Sequence, residues 1–272
     1  MDDIFEIKLT TPEMIFIGSL LKAPSLPVDY SLPEDESELE TVWRNAYSSL
    51  AHKDYVRLSP PMETDLTLDQ TVAAIVGVLG YPQSGLEVNK FHQKQVVPEQ
   101  SRLSRLGELI VEQTSGPADT HTLTACRTRD VALARLLAFL GLKEQPPAHT
   151  QSFHITAGDM AQLPYIIAGN GPEDGAAFLR EKGAPPGAAT HLAAALDNPV
   201  RQSVIRAAVW RDGEPREVGR LTLLEEIYGL WLFAPTVEDG DMLAVTPLDA
   251  AEAADRIRDL TFQVMPPEPI QA

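Results

Sequence analysis

Leu9-Thr10-Thr11-Pro12-Glu13-Met14 is echoed 146 residues later by Ile155-Thr156-Ala157-Gly158-Asp159-Met160. In the first copy a threonine stands ahead of Pro12. Its hydroxyl can accept from an early helical N–H while the proline presets φ, so a helix opens there. Met14, Ile17, Leu20 and Leu21 then recur at helical spacing. Downstream of each copy the chain runs through a similar order of elements.

After the first copy, residues 25–36 read as a Pro-, Ser- and acid-rich loop. A helix then carries Leu39, Val42, Trp43, Ala46, Tyr47 and Leu50 on one face. A third helix runs from about Leu68 and stops at Gly80-Tyr81-Pro82. Strand patterns come next at 86–91, 106–113 (LGELIVEQ) and 121–126 (HTLTAC), then a helix at 130–140. Residues 143–150, with Pro146-Pro147, read as a linker.

After the second copy come helices at 175–182 and 188–196, and Leu196-Asp197-Asn198-Pro199 parallels Leu79-Gly80-Tyr81-Pro82. Strands are expected at 203–210, 218–225 and 230–234, set against the three of the first half, and a helix at 248–260 closes the pattern. The strand at 242–246 counts as an extra one. The reading is an α+β fold built by internal duplication: a quasi-twofold antiparallel sheet flanked by helical bundles. Antiparallel pairing follows from hairpin-length connections, because a parallel crossover needs about a dozen residues or more. One domain of two pseudo-repeats, 1–145 and 150–262, is expected, with 263–272 a frayed tail.

The chain has 272 residues, 44% hydrophobic and 22% charged, with a net charge of −17 and a pI near 4.7. That field repels phosphate backbones and anionic lipid, which argues against nucleic acid as a partner. No apolar run is long enough to span a bilayer, so no membrane insertion is expected. The acidic opening MDDIFEIKLTT is unlike a secretory signal, and a cytoplasmic location is expected. Cys126 is the lone cysteine, which excludes a disulfide scaffold.

The residue patterns give no chemistry of their own. Gly169-Asn170-Gly171-Pro172-Glu173-Asp174-Gly175 follows a helix and carries two acids where phosphate would sit, so it reads as a helix–helix turn capped by Asp174. The six histidines show neither HxH nor HExxH spacing, and no metal site or cofactor is expected. Cys126 and His121 lie five apart on one strand and point to opposite faces. Asp212-Gly213 and Asp239-Gly240 read as hairpin turns. A catalytic site would have to be assembled from distant segments around a deep pocket.

Two stretches stand out as recognition surfaces. Leu230-Trp231-Leu232-Phe233 is apolar on both faces, so it is either a central strand covered on both sides or one whose outer face binds a partner, with Trp231 and Phe233 on the same face. Residues 93–104 (QKQVVPEQSRLS) read as a long loop holding Val96 and Val97. With its flanks it carries Lys90, Lys94, Arg102 and Arg105 against Glu99, a basic island in an acidic chain. Val96, Val97, Arg102, Arg105, Trp231 and Phe233 are the candidate partner-binding residues.

Several stretches together resemble the EspG-type chaperones of ESX (type VII) secretion systems. They are the opening helix LTTPEMIFIGSLL, the Trp-bearing helix with AYSSL, the joints VGVLGYPQSGLEV and AALDNPVRQSVIRAAVW, the late hairpin with GLWLF and the closing helix LDAAEAADRIRDL. The Pro-rich insertion at 25–36 departs from that family. The resemblance implies a quasi-twofold sheet between two helical bundles. It also implies a helical secretion substrate of the PE/PPE kind, held by the sheet, the loop between early strands and the C-terminal bundle. The expected function is a non-enzymatic cytoplasmic chaperone or adaptor for a helical protein partner. The alternative is an acidic immunity or regulatory adaptor that neutralises a basic protein. Salt separates them, since charge-driven binding weakens steeply as salt rises.

Overall fold

The computed structural model describes residues 4–28, 30–58, 66–93, 95–117, 119–144, 147, 149–227, 229–236 and 241–266. In chain order the first half runs β1 (Ile4–Thr10), α1 (Thr11–Leu20), α2 (Glu36–His52), β2 (Val56–Leu58), β3 (Leu66–Leu68), α3 (Gln70–Gly80), β4 (Ser84–His92), β5 (Glu99–Leu106), β6 (Leu109–Ser115), β7 (Thr120–Cys126) and α4 (Arg129–Leu140). The second runs β8 (Phe153–Thr156), α5 (Ala157–Asn170), α6 (Pro172–Glu181), α7 (Pro186–Asp197), β9 (Arg201–Arg211), β10 (Glu214–Glu225), β11 (Leu230–Pro235), β12 (Met242–Leu248) and α8 (Ala250–Val264). The fold is α+β. Ten strands form one large sheet in the order β1-β7-β6-β5-β4-β9-β10-β11-β12-β8, and β2-β3 is a separate ribbon.

Backbone packing groups the described residues within 1–85, 101–132 and 209–216 into one compact unit, and those within 86–100, 133–208 and 217–272 into another. In the first unit the β1–β7, β6–β7 and β5–β6 pairs are antiparallel. Ile7, Leu9, Val111 and Leu123 from these strands pack with Met14, Ile17, Leu50, Ile75 and Leu79 from α1, α2 and α3. Leu26 crosses this layer closely enough that a Cβ on Gly18 would come within 2.5 Å of it, so the 25–36 segment begins tightly packed.

In the second unit β8, β12, β11 and β10 pair antiparallel. Trp231, Phe233, Leu224 and Val245 pack with Leu163, Leu179, Leu192 and other residues of α5, α6 and α7. Leu230 and Leu232 point the other way and are buried as well. α8 packs on β10, where Leu260 lies so close to Gly219 that a side chain there would clash at 2.5 Å. The apolar doublets of β11 therefore reflect a strand buried on both faces, with α5, α6 and α7 over the Trp231 side.

Both opening joints are held alike. Thr10 caps α1, accepting from the N–H of Glu13, while the Glu13 carboxylate accepts from the Thr10 N–H at 2.7 Å. Lys53, at the end of α2, lies 2.7 Å from Glu13, which is 1% exposed. In the second unit Thr156 caps α5 and bonds Asp159, and Lys182 at the end of α6 lies 2.8 Å from Asp159. Burial works to raise the Glu13 pKa, but the Lys53 hydrogen bond, the Thr10 N–H, Ser49 and the Lys53 charge outweigh it, and the net shift is downward.

The structure departs from the sequence reading at definite places. β1 and β8 precede their helices directly, where the sequence pattern shows no strand. Residues 99–104, expected as part of a long loop, lie in β5, and the expected strand 106–113 starts at the end of β5, turns at Gly107 with φ +59° and continues as β6. Serines at the buried positions 101 and 104 hide the alternation; Ser101 is satisfied at 3.1 Å by Glu112. With β5 in place the strand at 242–248 is no extra one, since each half supplies five strands to the sheet. The α5–α6 turn exists, but Gly171 at φ +94° occupies the cap and Asp174 lies in the first turn of α6. The β9–β10 turn has positive φ at both Asp212 and Gly213. Asp239-Gly240 lies outside the described residues, as do 145, 146 and 148 of the linker and 267–272 of the tail.

Two outcomes test this packing. Trp231→Ala removes a wholly buried side chain and should cost about 3–5 kcal/mol in urea unfolding. A loss under 1 kcal/mol, on the order of a surface change, would mean the site is not core. Glu13→Gln should cost about 1.5–3 kcal/mol near neutral pH, the worth of hydrogen bonds to a charged group. A carboxyl with a lowered folded pKa contributes stability fully above its unfolded value, about 4.5, and loses it as pH falls through the lower folded value. The gap between wild type and Glu13→Gln should therefore narrow below about pH 4.5, and a gap independent of pH would contradict the assignment.

Candidate partner-binding site

Val96 and Val97 sit in the connection between β4 and β5, residues 93–98, of which Lys94 is outside the described residues. They are 93% and 77% exposed, the barest valines of the described chain. Two adjacent β-branched side chains standing in water gain little from burial on folding.

The base of this hairpin is tied down. Lys90 on β4 and Glu99 on β5 form an ion pair at 2.6 Å, and His92 lies 3.2 Å from the same carboxylate. The hydrogen bond from Lys90 holds the Glu99 carboxyl below its ordinary pKa, against a smaller opposing effect of burial. Gln100 donates to Asn89 at 2.9 Å. Gln93 donates through its N–H to the Val200 carbonyl and through its side chain to Asn198 at the end of α7. With the base fixed, the ordering cost of binding is confined to the short tip.

Within the same compact unit, α4 and α8 enclose an open groove of about 800 Å³. Leu137, Ala138 and Leu142 line one wall, Ala250, Ala251 and Ala254 the other, with Glu144 and Asp249 at its rim. A smaller hollow of about 310 Å³ lies between α7 and the β10–β11 turn, lined by His191, Ala194, Asn198, Glu226 and the exposed Ile227.

The sequence candidates divide. Val96 and Val97 stand free at the hairpin tip. Arg102 and Arg105 lie further along β5, half-buried; Arg102 is opposite Gln113, and Arg105 donates to the Gly107 carbonyl at 2.8 Å in the next turn. Trp231 and Phe233 are 0% and 7% exposed, on the covered-strand side of the two readings of β11. The Trp231 indole donates to Glu226 at 3.2 Å. Neither aromatic offers surface to a partner in this conformation.

The groove has no counterpart among the sequence candidates. Its signal is the alanine run AAEAA at 250–254, which makes a shallow helical wall, but nothing in the sequence pairs that run with a helix over a hundred residues earlier. Among the described residues no cluster of three or more histidines, cysteines or acids could hold a metal ion, and no helix is long and apolar enough to cross a membrane.

Comparison with known proteins gives three results. A fold match is the Mycobacterium tuberculosis type VII secretion system chaperone EspG5, solved in complex with the PE25-PPE41 dimer. The TM-score is 0.72 at 14% sequence identity, over 96% of this chain and 97% of that one. A search of curated protein sequences gives no match. The sequence profile of the EspG family matches residues 10–259. The chain belongs to the EspG family.

Proposed function

We propose that this chain is a cytoplasmic secretion chaperone, acting by binding and without catalysis, that holds a helical protein partner of the PE–PPE kind. The hairpin tip at Val96-Val97 and the α4/α8 groove form the contact. The observation that carries this reading is the pair of bare valines on a pinned hairpin. The family membership supports the chaperone role, and the EspG5 complex supplies the class of partner. A groove walled by alanines admits the close approach of a helix, and the acidic surface keeps the carrier soluble beside an apolar cargo. The net charge of −17 favours the second reading, an acidic adaptor for a basic protein.

The same reading takes the fold as an internal duplication with a quasi-twofold axis, in a single domain of two pseudo-repeats. Three observations support it. The sheet order pairs β1 with β8, β7 with β12, β6 with β11, β5 with β10 and β4 with β9 when read inward from its two ends. Helices fall at matching places in the chain. Thr10, Glu13 and Lys53 repeat as Thr156, Asp159 and Lys182 with the same partners.

Binding to a PE–PPE dimer from the same genome, measured by calorimetry, tests the proposal. Val96→Ser with Val97→Ser should leave the melting temperature within about 2 °C, because exposed positions contribute little to stability. The same variant should weaken binding about tenfold or more, as loss of a central apolar anchor does. Ala251→Glu in the groove should act likewise. Wild-type affinity in both variants would refute the surface, and a steep loss of wild-type binding with salt would favour the acidic adaptor.

A further inference from the structure

Lys90 stands between the two parts of that surface. Its ammonium is 2.6 Å from Glu99 at the base of the hairpin and donates at 2.9 Å to the Phe139 carbonyl in the last turn of α4. It also lies 4.4 Å over the Phe139 ring. Its side chain is 10% exposed, so these contacts replace most of its water. Phe139 directly follows Leu137 and Ala138, which line the groove.

The last carbonyls of a helix have no partner within it, and a cation there satisfies them and favours the negative end of the helix dipole. α4 is capped in this way twice. Arg201 on β9 donates to the Gly141 carbonyl at 3.2 Å while paired with the buried Glu225. That pair holds the helix end from β9 and β10, whereas Lys90 binds hairpin and helix with one ammonium. A cation spread over an acid, a carbonyl and a ring is held from three sides and resists displacement from any one of them.

We propose that Lys90 is a positioning residue that couples the 93–98 hairpin to the α4 wall of the groove, so that the two parts of the partner surface are set in one geometry. The proposal rests on reading those parts as one surface, but its test needs no partner and can fail separately from the function.

The test is hydrogen–deuterium exchange of the free, full chain, followed over 88–100, over 134–144 and over α5 as a reference. Glu99→Ala removes the hairpin's half of the link without touching α4. It should speed exchange over 88–100 and also over 134–144 by about two- to fivefold, the scale of a partly exposed ion pair. α5 should exchange as in wild type. Lys90→Met, which keeps an apolar stem, should speed both segments at least as much. If Lys90→Met also loosens α5, the fold has been damaged and Glu99→Ala alone decides. Faster exchange confined to 88–100 in Glu99→Ala, with 134–144 unchanged, would overturn the proposal.

Discussion

Two strand-to-helix joints set the geometry on which the structure depends. A strand that passes into a helix without a loop must satisfy the first N–H groups of that helix at the residue where the backbone turns. Thr10 and Thr156 do so, and the acid three residues on then reaches a lysine at the end of the next helix, Lys53 after α2 and Lys182 after α6. One cap thus fixes two things: where the helix starts and which helix returns against it. Asp159 and Lys182 shift each other in opposite senses, the acid down and the lysine up, through their hydrogen bond. With α1 and α2, and α5 and α6, fixed in this way, Leu163 and Leu179 share one core with Trp231, and Ile17 and Leu50 share the other with Leu123.

Much of this is legible in the sequence. The threonine joint, the helix stops at Gly80-Tyr81-Pro82 and Asn198-Pro199, and the two-faced apolar strand 230–233 are local patterns that report local causes. The class of fold follows from them. Other elements are hidden for physical reasons. β5 is unreadable because its buried positions carry Ser101 and Ser104, polar side chains that Ser101 shows can be satisfied across the sheet, so burial there leaves no apolar trace. Without that strand the first half is one strand short, and 242–246 looks like an extra strand.

The candidate site is legible only at its tip. Val96 and Val97 are visible as apolar residues in polar company, and they are the exposed ones. Trp231 and Phe233 stand out by size, but size marks core as readily as contact, and that strand is buried on both faces. The groove depends on α4 and α8 meeting, and Lys90 depends on β4 passing the end of α4. Both are long-range facts with no local signature. A lysine in a basic stretch looks like surface charge, whereas its ammonium is enclosed by Glu99, a carbonyl and a ring.

If a partner is held at one place, the hairpin tip with the α4/α8 groove, an exchange footprint of the chain bound to a PE–PPE dimer from the same genome will show it most directly. Slowed exchange is predicted across 93–98, 137–142 and 250–254, with α1, α2 and α3 exchanging as in the free chain. Protection confined to α1, α2 and α3, with the hairpin unchanged, would contradict it.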